Sequence, residues 1–183
     1  MFMKKSFIAL ALVAASVTAP MAHAENESLT QFGDIAQIGV PITAGAIALW
    51  KGDTEGFFQL AEGALYTAAA THALKWAVDA ERPDGSGNNS FPSGHTSAAT
   101  QGAAFLQFRY GWEYGLPAYA VSAVVGYSRV QADKHNWIDV AAGAALATGI
   151  QYAVTSMGYS MTNIAFAPYV NGDEVGLYAS MRF

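Results

Sequence analysis

The stretch SRVQADKHNWID, residues 128–139, gathers charge in a chain that mostly avoids it. His135 and Asp139 stand four residues apart, so on a helix they share a face. A histidine backed by an acid can act as nucleophile or base, although the same pair also occurs as a plain surface contact. A second cluster is KWAVDAERP, with Lys75 and Arg82 seven residues apart, two helical turns on one face. A third is FPSGHTS, where Ser93, Gly94 and His95 stand at a helix start. Free N–H groups and the helix dipole make such a start an anion site.

Each cluster alone has an ordinary reading. Lys75 and Arg82 can be a solvated face paired with Asp79 and Glu81. Ser93 can be a helix cap and nothing more. His72 has no neighbour that suggests a ligand and is assigned to packing. The combination is harder to dismiss. Nine basic residues less the two of the leader described below leave seven, against 14 acidic ones. Three of those seven, Lys75, Arg82 and Arg129, fall in the clusters. Three cations plus helix-end N–H groups match a phosphate dianion, each charge-assisted bond contributing about 1.5–3 kcal/mol before desolvation. Arginine's planar fork suits phosphate oxygens. Two histidines then supply a nucleophile and a proton donor without a metal. His95 and His135 are not spaced as zinc ligands, and no second carboxylate cluster supports a metal.

These positions need a scaffold. The chain has 183 residues, 52% hydrophobic and 13% charged, enough for one domain with a core. The net charge of −5 argues against a nucleic-acid partner. There is no cysteine, hence no disulfide or thiolate site. Residues 1–24 carry Lys4 and Lys5, an apolar run from Phe7 to Val17 and Ala22-His23-Ala24, the layout of a secretory signal peptide. This predicts export to the periplasm and one domain over 25–183.

Within that domain, 25–34 reads as a loose polar lead-in. Helices are predicted over Ile35–Trp50 (with Pro41 a kink), about Thr54–Ala80, Ser93–Arg109, from Pro117 to near Tyr127, and from near His135 onward. The segment 84–94 is a loop, and GWEYGLP a break. The C-terminal NIAFAPYVNGDEVGLYASMRF alternates on both sides of Asn171-Gly172, a β-hairpin pattern. The fold class is therefore all-α, a bundle of about five helices with a small C-terminal hairpin. Ile35–Trp50 is 16 residues long, short of the roughly 20 that span a bilayer. A soluble or peripherally attached domain is favoured over an embedded one.

Lys75-x6-Arg82-Pro83, Pro92-Ser93-Gly94-His95 and Ser128-Arg129-x5-His135-x3-Asp139 together resemble the tripartite signature of the type 2 phosphatidic acid phosphatase superfamily. That superfamily includes bacterial acid phosphatases, membrane lipid phosphatases and vanadium haloperoxidases. The resemblance spans 75–139 without a departure in the motifs, and it implies a helical bundle. It also implies roles. His135 would attack phosphorus and form a phosphohistidine, and Asp139 would orient its ring. His95 would protonate the leaving oxygen and then activate water. Lys75, Arg82, Ser93, Gly94 and Arg129 would bind phosphate oxygens. The part played by Ser128 is left open.

The function expected is metal-independent hydrolysis of a phosphomonoester, on a soluble molecule or a lipid phosphate. The alternative is a membrane-associated lipid phosphate or pyrophosphate phosphatase, and a vanadium-dependent haloperoxidase stands behind both. No cofactor is expected; vanadate would inhibit, or serve as cofactor in the haloperoxidase case. The partners expected are the phosphorylated substrate and peripheral contact with a membrane.

Overall fold

The computed structural model describes residues 24–171 and 174–181. The leader read over 1–24 lies, apart from Ala24, outside them. Five helices follow in order: α1 (Ala24–Trp50), α2 (Thr54–Val78), α3 (Gly94–Tyr110), α4 (Trp112–Gln131) and α5 (Trp137–Thr155). A short turn, Met161–Asn163, leads into β1 (Ile164–Asn171), which pairs antiparallel with β2 (Glu174–Met181). The all-α bundle with a terminal hairpin is as the pattern predicts. Asn171 pairs with Glu174, so the connection falls on residues 172 and 173, outside the described residues. The facing of the hairpin side chains also lies largely outside them; Leu177 is exposed.

Helix α3 is the centre of the bundle and packs against the other four. It suits this place because small residues dominate its sequence, GHTSAATQGAAF. Its residues from Ala99 to Leu106 are all buried. Small side chains let neighbouring backbones come close: a Cβ on Gly102 would lie 2.8 Å from the Pro41 backbone of α1. One core cluster joins Ala36 and Val40 of α1 to Ala99 and Ala103 of α3 and Val125 of α4. The other joins Ala44, Ala48 and Leu60 to Phe105 and Leu106.

Three glutamines are fully buried between α2, α3 and α5. The Gln101 amide donates to Gln151 Oε1 (2.7 Å) and to the Leu60 carbonyl (3.0 Å). Gln151 donates to Thr155 Oγ1 (2.8 Å) and to the Gln59 carbonyl (3.3 Å). At the start of α2, Asp53 caps the helix through Gly56 N–H and takes a two-point bond from Arg109, 2.7 Å at each oxygen. Tyr110 donates to the same carboxylate at 2.8 Å.

Two boundaries differ from the sequence reading. The lead-in 25–34 is helical and belongs to α1. It contains no proline, and Phe32, Ala36 and Val40, at helical spacing, bury against α3 and α4. The break at GWEYGLP shrinks to Gly111 alone, at φ 90°, and Pro117 lies inside α4. The longer α1 bears on membrane attachment. Among the described residues, Glu27–Trp50 is long and apolar enough to cross a membrane by length and composition, with mean hydropathy 1.4. Ile35, Ile38, Ile42, Leu49 and Trp50 are exposed on it.

Candidate active site

The site forms where the C-terminal end of α2, the 79–93 loop, the start of α3 and the 132–136 connection meet. Helix α2 and its C-cap present His72, Lys75, Trp76 and, at the cap, Asp79 to one cleft of about 520 Å³. Their spacing of 3, 4 and 7 is one helical face. His72, assigned to packing on sequence, is exposed and lines this cleft. The helix then stops, because Asp79 turns left-handed at φ 48° and its N–H bonds back to the Lys75 carbonyl. That stop lets the loop fold over the helix end. Lys75 Nζ donates to the Asn89 carbonyl (2.5 Å), and Arg82 Nε donates to Asn89 Oδ1 (2.8 Å). Both cations thus stand side by side on the loop they organise.

Gly94 and His95 open α3 at the cleft wall. Ser93 is fully buried behind them and acts as the N-cap: its Oγ accepts from Thr96 Oγ1 at 2.9 Å and from Thr96 N–H at 3.4 Å. Its own N–H donates to the Asp139 carbonyl at 2.9 Å, tying α3 to α5. A side chain at Gly143 would strike the Ser93 carbonyl at 2.6 Å, so that glycine permits the α3–α5 approach.

The connection after α4 is wound tightly. Asp133 takes φ 52°, and the N–H groups of Lys134 and His135 both return to the Arg129 carbonyl. Lys134 pairs with Asp84 at 2.5 Å and joins this connection to the 79–93 loop. His135 is 3% exposed and still borders the cleft. Its Nδ1 faces Asp139, but at 3.7 Å, beyond hydrogen-bond range. Ser90 sits between them. Its hydroxyl donates to Asp139 Oδ2 at 2.7 Å and lies 3.5 Å from His135 Nδ1. Asn136 N–H also donates to Asp139 Oδ2, at 2.8 Å, closing a capping box. With Nδ1 turned to this acid, Nε2 is the ring nitrogen left for the cleft.

Arg129 is 6% exposed and lies behind the cleft wall. It donates to Asp34 of α1 at 2.5 Å, and His95 Nε2 lies 2.9 Å from the same oxygen. Ser128, the open position of the third motif, is a packing residue. It is buried against Gly33 of α1, where a Cβ would stand 2.1 Å from its Oγ.

The structure therefore brings Lys75, Arg82, Gly94, His95 and His135 to the cleft and sets Ser93, Arg129 and Asp139 directly behind it. Sequence reasoning missed Asp34, Ser90 and Asn89. Electrostatics follow from this crowding. Burial, then the Lys75 and Arg82 charges, push the His135 imidazole down to about 4, against the pull of Asp139. Burial and the Arg129 charge lower His95, opposed by Asp34. Burial and the Arg82 charge lower Lys75. Among the described residues, no group of three or more His, Asp or Glu side chains is placed to hold a metal ion.

Within a helical bundle, Lys75, Arg82, His95 and His135 thus line one cleft, a set of groups suited to binding a phosphate ester and moving its protons. The family model of the PAP2 superfamily matches residues 56–162. The chain belongs to that superfamily and is a phosphoric monoester hydrolase. It is 31% identical over 159 residues to a lipid A 4'-phosphatase of Helicobacter pylori (strain J99), covering 81% of this chain and 79% of that one. It is 36% identical over 99 residues to a lipid A 1-phosphatase of Porphyromonas gingivalis, covering 52% of this chain and 21% of the relative. The crystal structure of Aquifex aeolicus LpxE superposes with a TM-score of 0.63 at 18% identity, over 84% of this chain and 94% of that one.

Proposed function

We propose that the chain removes a phosphate monoester from a lipid A-type glycolipid at a membrane surface. The observation that carries this is the similarity to the 4'-phosphatase over most of both chains. It favours the lipid reading over the broader phosphomonoesterase one. An apolar exterior fits it too: Trp76, on the cleft itself, is 87% exposed.

Nε2 of His135 attacks phosphorus in line, so that an N–P bond forms as the P–O bond to the lipid breaks. Asp139, with Ser90 between, holds the ring and balances the charge it acquires. His95 gives its proton to the leaving oxygen. It then takes a proton from water, which attacks phosphorus, breaks the N–P bond and releases inorganic phosphate. Lys75, Arg82 and the Gly94 N–H neutralise the phosphoryl oxygens, with Arg129 as the buried charge behind them and Ser93 fixing the helix start. No metal takes part. Vanadate inhibits by mimicking the five-coordinate phosphorus. Export places the site on the outer face of the membrane.

The test uses the purified chain in mixed micelles containing EDTA. Phosphate release is compared for lipid A, phosphatidic acid and p-nitrophenyl phosphate. The expected result is fastest turnover on lipid A. Faster turnover of the soluble ester would return the enzyme to a general phosphomonoesterase. Complete loss in EDTA would overturn the metal-free reaction.

A further inference from the structure

We propose that Asp34 of α1, outside all three motifs, is a positioning residue for phosphoryl transfer, its carboxylate fixing the His95 ring and the Arg129 guanidinium together. This rests on the phosphatase reading above. One oxygen of Asp34 serves both partners, 2.9 Å from His95 Nε2 and 2.5 Å from Arg129 Nη1. The three residues come from three helices, 61 and 95 positions apart in the chain.

The contact is not an ordinary surface ion pair. Asp34 is half-exposed, but the Arg129 side chain is 7% exposed and its Nε has no hydrogen-bond partner. Asp34 is the anion the structure gives it. A buried guanidinium beside His95 opposes the charged imidazole, and the shared carboxylate acts against that opposition. The backbone supports the placement. Gly33 allows α1 to touch Ser128 of α4, so the next residue on each helix, Asp34 and Arg129, meets its partner. His95 thereby gains what Asp139 gives His135: an acid behind one nitrogen, with the other nitrogen left for the reaction.

The charged and titratable groups facing His95 are Asp34 from α1, Arg129 from α4 and Arg82 from the loop. His72 and Lys75 of α2, its C-cap Asp79 and His135 border the same cleft. Removing the Asp34 charge leaves the cations unopposed. The imidazolium then loses its proton at lower pH.

Asp34→Asn is nearly isosteric and half-exposed, so the fold is retained. Its rates on the micellar substrate are measured from pH 4 to 9 beside wild type, with the His95 titration followed by NMR of labelled histidine. The expected result is kcat about tenfold to a hundredfold lower, KM not raised, and both the alkaline limb and the His95 titration moved to lower pH. Asp34→Glu restores part of kcat. Unchanged kcat and alkaline limb would overturn the proposal while leaving the phosphatase intact. A lower KM at unchanged kcat would also overturn it, by making Asp34 a competitor of the substrate. If wild type itself releases no phosphate, the phosphatase reading fails instead, while the NMR shift still reports whether Asp34 governs His95.

Discussion

Protonating His135 should destabilise as well as inactivate this enzyme. The ring titrates near 4 in the folded chain, against 6.5 for an ordinary imidazole, because it is buried beside Lys75 and Arg82. Between those two values the unfolded chain binds the proton that the folded chain refuses. Stability therefore rises with pH through this window. The contribution is fully present above 6.5 and lost as pH falls through about 4. At about 1.4 kcal/mol per pH unit, it amounts to about 3 kcal/mol. His95 is lowered in the same direction and adds to the slope. Asp53, held below its ordinary 3.8 by Arg109, acts only at more acid pH and does not blur the window. The measurement is chemical denaturation at pH 7 and pH 4 of wild type and His135→Gln. Wild type should lose about 3 kcal/mol more than the variant. The same proton sets the acid limb of kcat/KM near 4, and His95 sets the alkaline limb below 6.5, so the enzyme works best in mild acid. Identical stability losses in the two proteins, or an acid limb at the ordinary imidazole value, would refute this account of the buried ring.

Ser90→Ala removes a buried hydroxyl that donates to Asp139 at 2.7 Å. It should cost about 1.5–3 kcal/mol of stability and lower kcat about tenfold with little change in KM, as steady-state kinetics and denaturation will show. Gly33→Ala places a Cβ 2.1 Å from Ser128 Oγ and should destabilise the chain by about 1–3 kcal/mol. The double variant with Ser128→Gly should recover most of that loss in a denaturation cycle, whereas additive losses would show that the two helices do not meet there. Asp53→Ala removes a cap and the Arg109 pair, and should cost about 1–3 kcal/mol while leaving kcat unchanged. It stands 22 residues from Lys75 along α2, about 33 Å away at 1.5 Å per residue.

The three motif clusters were legible because charge is scarce in this chain, so cations gathered near histidines stand out. Helix types were legible from alanine content and apolar spacing. Asp34 was not, since its polar surroundings read as a lead-in. Its role depends on where α1 crosses α4, a matter of Gly33 against Ser128 that one strand of sequence does not display. The spacing of Phe32, Ala36 and Val40 was the available signal. Ser90 was hidden in a Gly-, Asn- and Ser-rich loop, where a serine is expected for turn chemistry alone. The start of α4 was misplaced because Pro117 suits a first turn. Helix packing instead carries it within the helix, where Gly111 has already made the break. Ser93 carries both its readings at once, a cap by its hydroxyl and a neighbour of the cleft by its position.

The buried glutamines divide the molecule in time. Gln101 and Gln151 bond to each other across α3 and α5, and each donates to a main-chain carbonyl of α2, Leu60 and Gln59 in turn, so lifting any one of these helices strands an amide in an apolar interior. These three helices should exchange their amide hydrogens as one cooperative unit, at close to the global unfolding energy. Helix α1 is outside that lock. Small apolar side chains hold it, with Asp34 as its polar tie to the site. Its amides should exchange first, so the helix bearing Asp34 can open and close while the phosphate-binding helices stay assembled.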